Sequence, residues 1–182
     1  MAVSLPNGSI VAIASGYGSP VTISAISNAS PGVATAAAHG FTDGDIIEVT
    51  SGWSRLTDKI VRVDNAATGA FDLEGIDTSS TSIYPSGGGA GTAREITGFT
   101  QLAQITGSTS TGGEQQFLTY QFLESDAEKR IPTFKSAAGI TFTIADDPSL
   151  PGYVIAKAAN DDREPRAVRI TLSNGAVLLY NA

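Results

Sequence analysis

The sequence predicts a mainly β fold with one flanking helix, and three observations carry that expectation. Glycine is abundant, at 20 of 182 residues, and charged residues are few, at 16%; long helices favour Ala, Leu, Glu and Lys, whereas short strands and turns favour this composition. Apolar residues alternate with polar ones in short runs bounded by Gly, Asn, Asp and Pro. Only one stretch, 146–161, has helical spacing. A hydrophobic content of 41% suffices for a buried core.

Taken in order, "VSLPNGSIVAIA" (3–14) reads as a strand with an Asn7-Gly8 turn inside it, and "SGYGSP" (15–20) breaks it. "VTISAIS" (21–27) alternates, with Val21, Ile23 and Ala25 on one face. "NASPG" turns the chain into Val33–Ala37, and "GFTDGD" leads to Ile46–Thr50. "KIVRV" (59–63) and "GAFDLEGI" (69–76) follow, separated by "DNAATG". These runs predict a five-stranded small β-barrel over residues 20–85. It ends in "SSTSIYPSGGGAG" (79–91), which reads as a Ser/Gly-rich linker that does not pack and so marks a boundary.

Beyond it, "REITGFTQLAQITG" (94–107) supplies one or two strands. "EQQFLTYQFLES" (114–125) predicts a strand with Phe117, Thr119, Gln121 and Leu123 on one face and Leu118, Tyr120, Phe122 and Glu124 on the other, both partly apolar. "DAEKRIPTFKSAAG" (126–139) reads as a charged loop and "ITFTIA" (140–145) as a strand. "DDPSLPGYVIAKAAND" (146–161) is the helix: Asp147 or Ser149 is the expected cap, Pro151 suits the first turn, and Leu150, Val154 and Ala158 share a stripe. "RAVRITLSNGAVLLYNA" (166–182) predicts a hairpin with a tight turn at Asn174-Gly175, two positions that tolerate positive φ.

Catalytic and metal chemistry find little support. There are no cysteines, hence no thiolate ligand, cysteine nucleophile or disulfide. His39 is the only histidine, so a two-histidine zinc site is excluded. Asp43-Gly44-Asp45 lacks the remainder of a calcium loop, and "HGFTDGD" reads as a turn between strands. "GGGAG" (87–91) has no Lys-Ser/Thr after it, and no G-x-S-x-G occurs. The carboxylate pairs Asp146-Asp147 and Asp161-Asp162 flank the helix, where caps and solvated ends account for them. No enzymatic activity and no cofactor are expected. Trp53, Phe41 and Tyr84 could form a sugar-stacking platform or the core of the barrel.

The net charge of −7 argues against a nucleic-acid-gripping surface. Residues 20–85 hold eight acids and three bases, so most of that charge lies in the barrel segment. No Lys or Arg precedes Arg55, so a secretory n-region is lacking, and no apolar run reaches the length of a membrane span.

The order strand, charged loop, strand, helix and hairpin, ending "LPGYVIAKAANDDREPRAVRITLSNGAVLLYNA" (150–182), resembles the tail tube (major tail) proteins of long-tailed bacteriophages. "VSLPNGSIVAIASGYGSP" and "ITGFTQLAQITG" are similar to that family's opening strand and the segment leading into its tube strands, so the likeness covers residues 1–19 and about 92–182. From His39 to Asp77, "HGF-x-x-GD" and "F-x-L-x-G-x-D" resemble a small β-barrel of ubiquitin-activating enzymes that recurs in phage structural proteins. The two resemblances imply a β-sandwich or split-barrel tail-tube domain (1–19 and 86–182) carrying an inserted decoration barrel (20–85). They imply a virion protein of the phage tail whose six copies form rings, stacked into a tube through which genome DNA passes without specific binding. Its partners would be itself and other tail proteins, with no membrane contact. The 125–135 loop would then reach a neighbouring subunit, through the charges of Asp126, Glu128, Lys129, Arg130 and Lys135 and the apolar grip of Ile131, Pro132 and Phe134. The alternative expectation is a carbohydrate-binding adhesion module.

Overall fold

The computed structural model describes residues 8–145 and 147–182. Part of the expected first strand, with Asn7 of its turn, and Asp146 of one carboxylate pair lie outside the described residues. Along the chain run β1 (Ile10–Tyr17), β2 (Val21–Ile23), β3 (Ala25–Ile26), β4 (Gly32–Thr35), β5 (Ile46–Ser51), β6 (Lys59–Ala67), β7 (Ala70–Leu73) and β8 (Gly91–Gln101). Then come β9 (Ile105–Thr111), β10 (Gln115–Tyr120), β11 (Lys129–Lys135), β12 (Gly139–Ile144), helix α1 (Pro151–Asp162), β13 (Ala167–Thr171) and β14 (Val177–Asn181). The mainly β, one-helix expectation holds. The chain divides into two compact units, one running through Leu102 and resuming at Pro148, the other comprising Ala103–Asp147.

In the first unit β8 has two roles. Its first half pairs with β5, from Ile47↔Glu95 to Ser51↔Gly91, and on its other side with β2, from Val21↔Ala93 to Ile23↔Gly91. Its second half pairs with β1, from Ala12↔Gln101 to Tyr17↔Ile96. The remaining pairings, β5 with β6, β6 with β7, β7 with β4 and β4 with β3, return the chain to β2 across Ser24 and close a ring of strands. The five strands read from the sequence are present. The sixth member is the first half of β8, beyond the segment taken for a linker, because strand partnership across a long connection has no local signal.

The ring fills itself with its inward residues: Ile23, Ile47, Val49, Val63, Phe71 and Leu73 are each at most 1% exposed. This is the alternation expected of strands with one face on a core. The 79–91 stretch is a correction. Trp53 donates its indole N–H to the Pro85 carbonyl at 2.8 Å, Asn28 Nδ2 donates to the Tyr84 carbonyl at 2.8 Å, and Ser51 Oγ donates to the Gly89 carbonyl at 3.2 Å. A Cβ on Gly89 would lie 2.9 Å from the Trp53 ring. The glycines let the backbone approach the indole; they do not make a free tether.

The sheet continues from β8 through β1 and β13 to β14. Val11, Ala12, Ile13 and Ala14 of β1 are all buried, so both faces of that strand are covered. Helix α1 packs on β1 and β8, so closely that a Cβ on Gly152 would sit 2.4 Å from the Gln101 carbonyl oxygen. Two helix expectations need correcting. The N-cap is Leu150, with no side-chain capping bond, while Pro151 takes the first turn as expected. The covered face holds Gly152, Ile155, Ala156 and Ala159, whereas Val154 and Ala158 of the predicted stripe are exposed. The close approach at Gly152 sets the rotation of the helix, with Ile155 on the covered side and Val154 outward. The hairpin turn also differs: Gly175 N–H donates to Leu172 O at 2.9 Å and Leu172 N–H to Ala176 O at 2.8 Å. Only Gly175 has positive φ, at 85°. This is a type I turn followed by a left-handed glycine, a three-residue loop in place of the two-residue one.

The second unit is one long antiparallel ribbon. β9 pairs with β12, from Gly139↔Thr111 to Ile144↔Ile105, and β10 with β11, from Gln115↔Lys135 to Tyr120↔Lys129. Bonds between Ser136 N and Glu114 O at 2.9 Å and Gly113 N and Ser136 O at 3.2 Å carry the ladder between the two pairs. The predicted strands 114–125 and 140–145 are found, the first ending at Tyr120.

Candidate assembly surface

The sequence singled out His39, and the structure gives it a structural place. It is 7% exposed. Its Nε2–H donates to the Ala67 carbonyl at 2.6 Å and its Nδ1 accepts the Phe41 N–H at 3.1 Å, so both ring nitrogens are used and the tautomer follows from their partners. The imidazole meets the Phe71 ring edge-on at 5.1 Å. Asp45 accepts the Thr42 N–H at 2.7 Å and Asp43 accepts the Ala66 N–H at 2.7 Å, so both carboxylates brace the same turn. Asp162 pairs with Arg166 beyond the helix end. Phe41 and Trp53 are buried, with Tyr84 packed edge-on against Trp53 at 5.1 Å. These rings form the core of the strand ring and offer no flat face to a sugar.

Arg62 and Glu74 form an ion pair. That contact holds the Glu74 carboxyl below its ordinary range and raises Arg62. Hydrogen bonds from Ser79 likewise lower Asp77. Arg94 of β8 pairs with Glu48 of β5 at 2.6 Å and lies 4.2 Å from the Tyr17 ring of β1. Tyr17 in turn accepts the Ala167 N–H at 2.9 Å. One arginine therefore ties together the strand ring and the sheet where β8 passes from one to the other.

The residues expected in an inter-subunit loop stand elsewhere in the secondary structure. Lys129, Arg130, Ile131, Phe134 and Lys135 belong to strand β11, and only Asp126 and Glu128 lie in the connection at the ribbon's tip. The charged sequence concealed a strand because its pairing partner, β10, lies across a connection and leaves no mark in the run itself. Leu118 faces Ile131, Phe117 faces Pro132, and Arg130 lies 5.0 Å from the Phe117 ring. Lys129 lies 5.9 Å from the Phe122 ring. Among the described residues, none of Asp126, Glu128, Lys129, Arg130 and Lys135 is in an ion pair.

What the ribbon buries is more telling than what it pairs. None of the described residues of Ala103–Asp147 is buried. Phe117, Leu118, Phe122, Leu123, Ile131, Phe134 and Ile140 are all exposed, on both faces and at the tip. A two-stranded ribbon alone is marginal in water, and a clustered apolar surface of this kind marks an interaction site. The sequence did not draw attention to a second exposed set, Val177, Leu178 and Tyr180 of β14, which among the described residues is the last strand of its sheet and pairs on one side only. The unbroken apolar run from Ala176 to Tyr180 in the final strand was the available signal.

No curated protein matches the chain. The family model described as "Phage tail tube protein, TTP" matches residues 51–182, taking in part of the strand ring together with the sheet, ribbon, helix and final hairpin. A self-covering strand ring, an uncovered ribbon and a sheet whose last described strand pairs on one side only, joined to a family match over well more than half its length, place the chain in the phage tail tube protein family, a structural component of the virion tail and not an enzyme.

Proposed function

We propose that six copies of this protein close into a ring and that the rings stack into the tail tube, a conduit for genome DNA during ejection. The observation that carries this reading is the ribbon: a segment with no buried residue and apolar side chains on both faces needs neighbouring copies to cover it. The one-sided pairing of β14 among the described residues supports the same conclusion, since closing a sheet into a barrel removes exposed strand edges. The segment of Asp126, Glu128, Lys129, Arg130, Ile131, Phe134 and Lys135 then acts as a polymerisation contact whose opposite charges set register.

Residues 20–85 are, in this reading, an outer decoration. Tyr17 and Ile96 are paired strand residues, and Gly18 N–H donates to Glu95 O at 2.8 Å, so the intervening chain leaves and re-enters the sheet at one point. It also carries most of the negative charge, which at an outer surface discourages contact between tubes. No observation favours the carbohydrate-binding alternative, whose aromatic platform lies in the core.

Negative-stain microscopy of concentrated protein tests the proposal. Rings and tubes about 100 Å wide are expected, the width of six domains of roughly 30–40 Å around a channel. A monomer in light scattering at every concentration and salt would overturn it.

A further inference from the structure

The geometry points to a receptor for the ribbon's tip: the cleft between the strand ring and the β13–β14 hairpin, occupied in the assembled tube by residues 121–128 of another copy. This deepens the ring-and-tube reading and rests on it. The cleft has a volume of about 630 Å³ and is lined by Ile46, Ile60, Ile76, Val177 and Leu179. That volume lies within the roughly 300–1,000 Å³ of sites that enclose a small group of atoms. Arg169 also lines it, and lines a second, smaller cavity with Asp45, Glu95 and Phe99. Arg169 stacks on Phe99, its Cζ 4.4 Å from the ring centroid, and has no carboxylate partner among the described residues. Arg62 stands at the same cleft, bound to Glu74.

The tip has the complementary composition. Its sequence "QFLESDAE" (121–128) carries Glu124, Asp126 and Glu128 and no base. Phe122 is half exposed and Leu123 wholly exposed, at 107%. A segment of two large apolar side chains followed by three carboxylates suits an apolar floor beside an arginine that forms no ion pair among the described residues. Apolar burial supplies the attraction, and the arginine selects the acidic segment and fixes its direction.

The test uses the absence of native cysteine. Chains carrying Leu123→Cys and chains carrying Val177→Cys are mixed, assembled and oxidised, with tubes monitored by microscopy. A disulfide-linked dimer that forms in tubes, and is missing from the same mixture kept dilute and unassembled, is the expected result. Tubes without that dimer would overturn the docking while leaving the ring reading intact; failure of the parent chain to form any tube would overturn both. A chain with both cysteines that closes on itself as a monomer would also overturn the proposal, since its own tip would then fill the cleft. In parallel, Arg169→Glu should lower tube yield about tenfold, and adding Glu124→Lys with Asp126→Lys should restore it. If Arg169→Glu does not fold, judged by circular dichroism, the cross-link decides.

Discussion

Replacing His39 by alanine should destabilise the strand ring without abolishing assembly. The imidazole holds the Phe41 N–H and the Ala67 carbonyl, and it fills the space beside Phe71. With alanine there, the buried Phe41 N–H has no partner, at a cost of about 1–3 kcal/mol. The lost ring burial and contacts add about 2 kcal/mol. A total of about 3–5 kcal/mol is a large part of the 5–15 kcal/mol that holds a typical domain together. For a unit of this size, about 2–4 °C per kcal/mol corresponds to a fall in Tm of roughly 6–20 °C. Trp53, the only tryptophan, shares the core cluster with Phe41 and Phe71, so its fluorescence reports the transition directly. His39→Gln should recover part of the loss, because its amide N–H reaches toward Ala67 while the Phe41 N–H stays unpaired. A melting point within about 2 °C of the parent would refute the clamp argument. So would a folded variant that no longer assembles, because His39 would then be making a contact outside its own unit.

Ile131→Ser with Phe134→Ser should leave a folded protomer that does not stack; unchanged tube length and yield would remove the ribbon from the assembly surface. Joining Tyr17 to Ile96 through Asn-Gly, in place of residues 18–95, should give thinner rings and tubes. It should also cost stability, since Ile46 and Ile60 pack over the cluster of Ala14, Ile96 and Ala167; a folded product that cannot form rings would make the strand ring part of the tube wall. Gly152→Ala should shift α1 off β8 and lower stability by about 1–3 kcal/mol, the range for overpacking, measured by urea denaturation; an unchanged midpoint would mean the helix yields freely. The Glu74 carboxyl is held below its ordinary range by Arg62, so its contribution to stability is present above the unfolded carboxylate range and is lost as pH falls through the lowered value. The pair is exposed and the effect correspondingly small; Glu74→Gln should remove it, and a larger acid dependence in the variant than in the parent would contradict the assignment.

Sequence alone determined the local elements wherever pattern and turn chemistry coincide. The strands from Val21 to Leu73 were legible because their apolar residues alternate between Gly, Asn and Asp turns, and most of those residues are buried in the strand ring; the exception is Ala25, expected on the face of Val21 and Ile23, which is exposed while Ile26 is buried, because the strand breaks at Ser24 between β2 and β3. His39 was legible as a turn residue because it had no partners at catalytic or metal spacing. The overall order of elements sufficed to point to the tail tube family. Tertiary structure alone decided which distant segments share a boundary. That β8 belongs to both the ring and the sheet follows from hydrogen bonds to β5, β2 and β1, none of which leaves a mark in its own sequence. That the 79–91 glycines support Trp53 depends on an indole far away in the chain. The helix presents Gly152 and not Val154 because the Gln101 carbonyl leaves no room for a side chain there. The charged run 129–135 is a strand because β10 lies beside it. Periodicity and turn preference act over a few residues and are written in the chain; which surfaces meet is set by the sum of all contacts between distant segments.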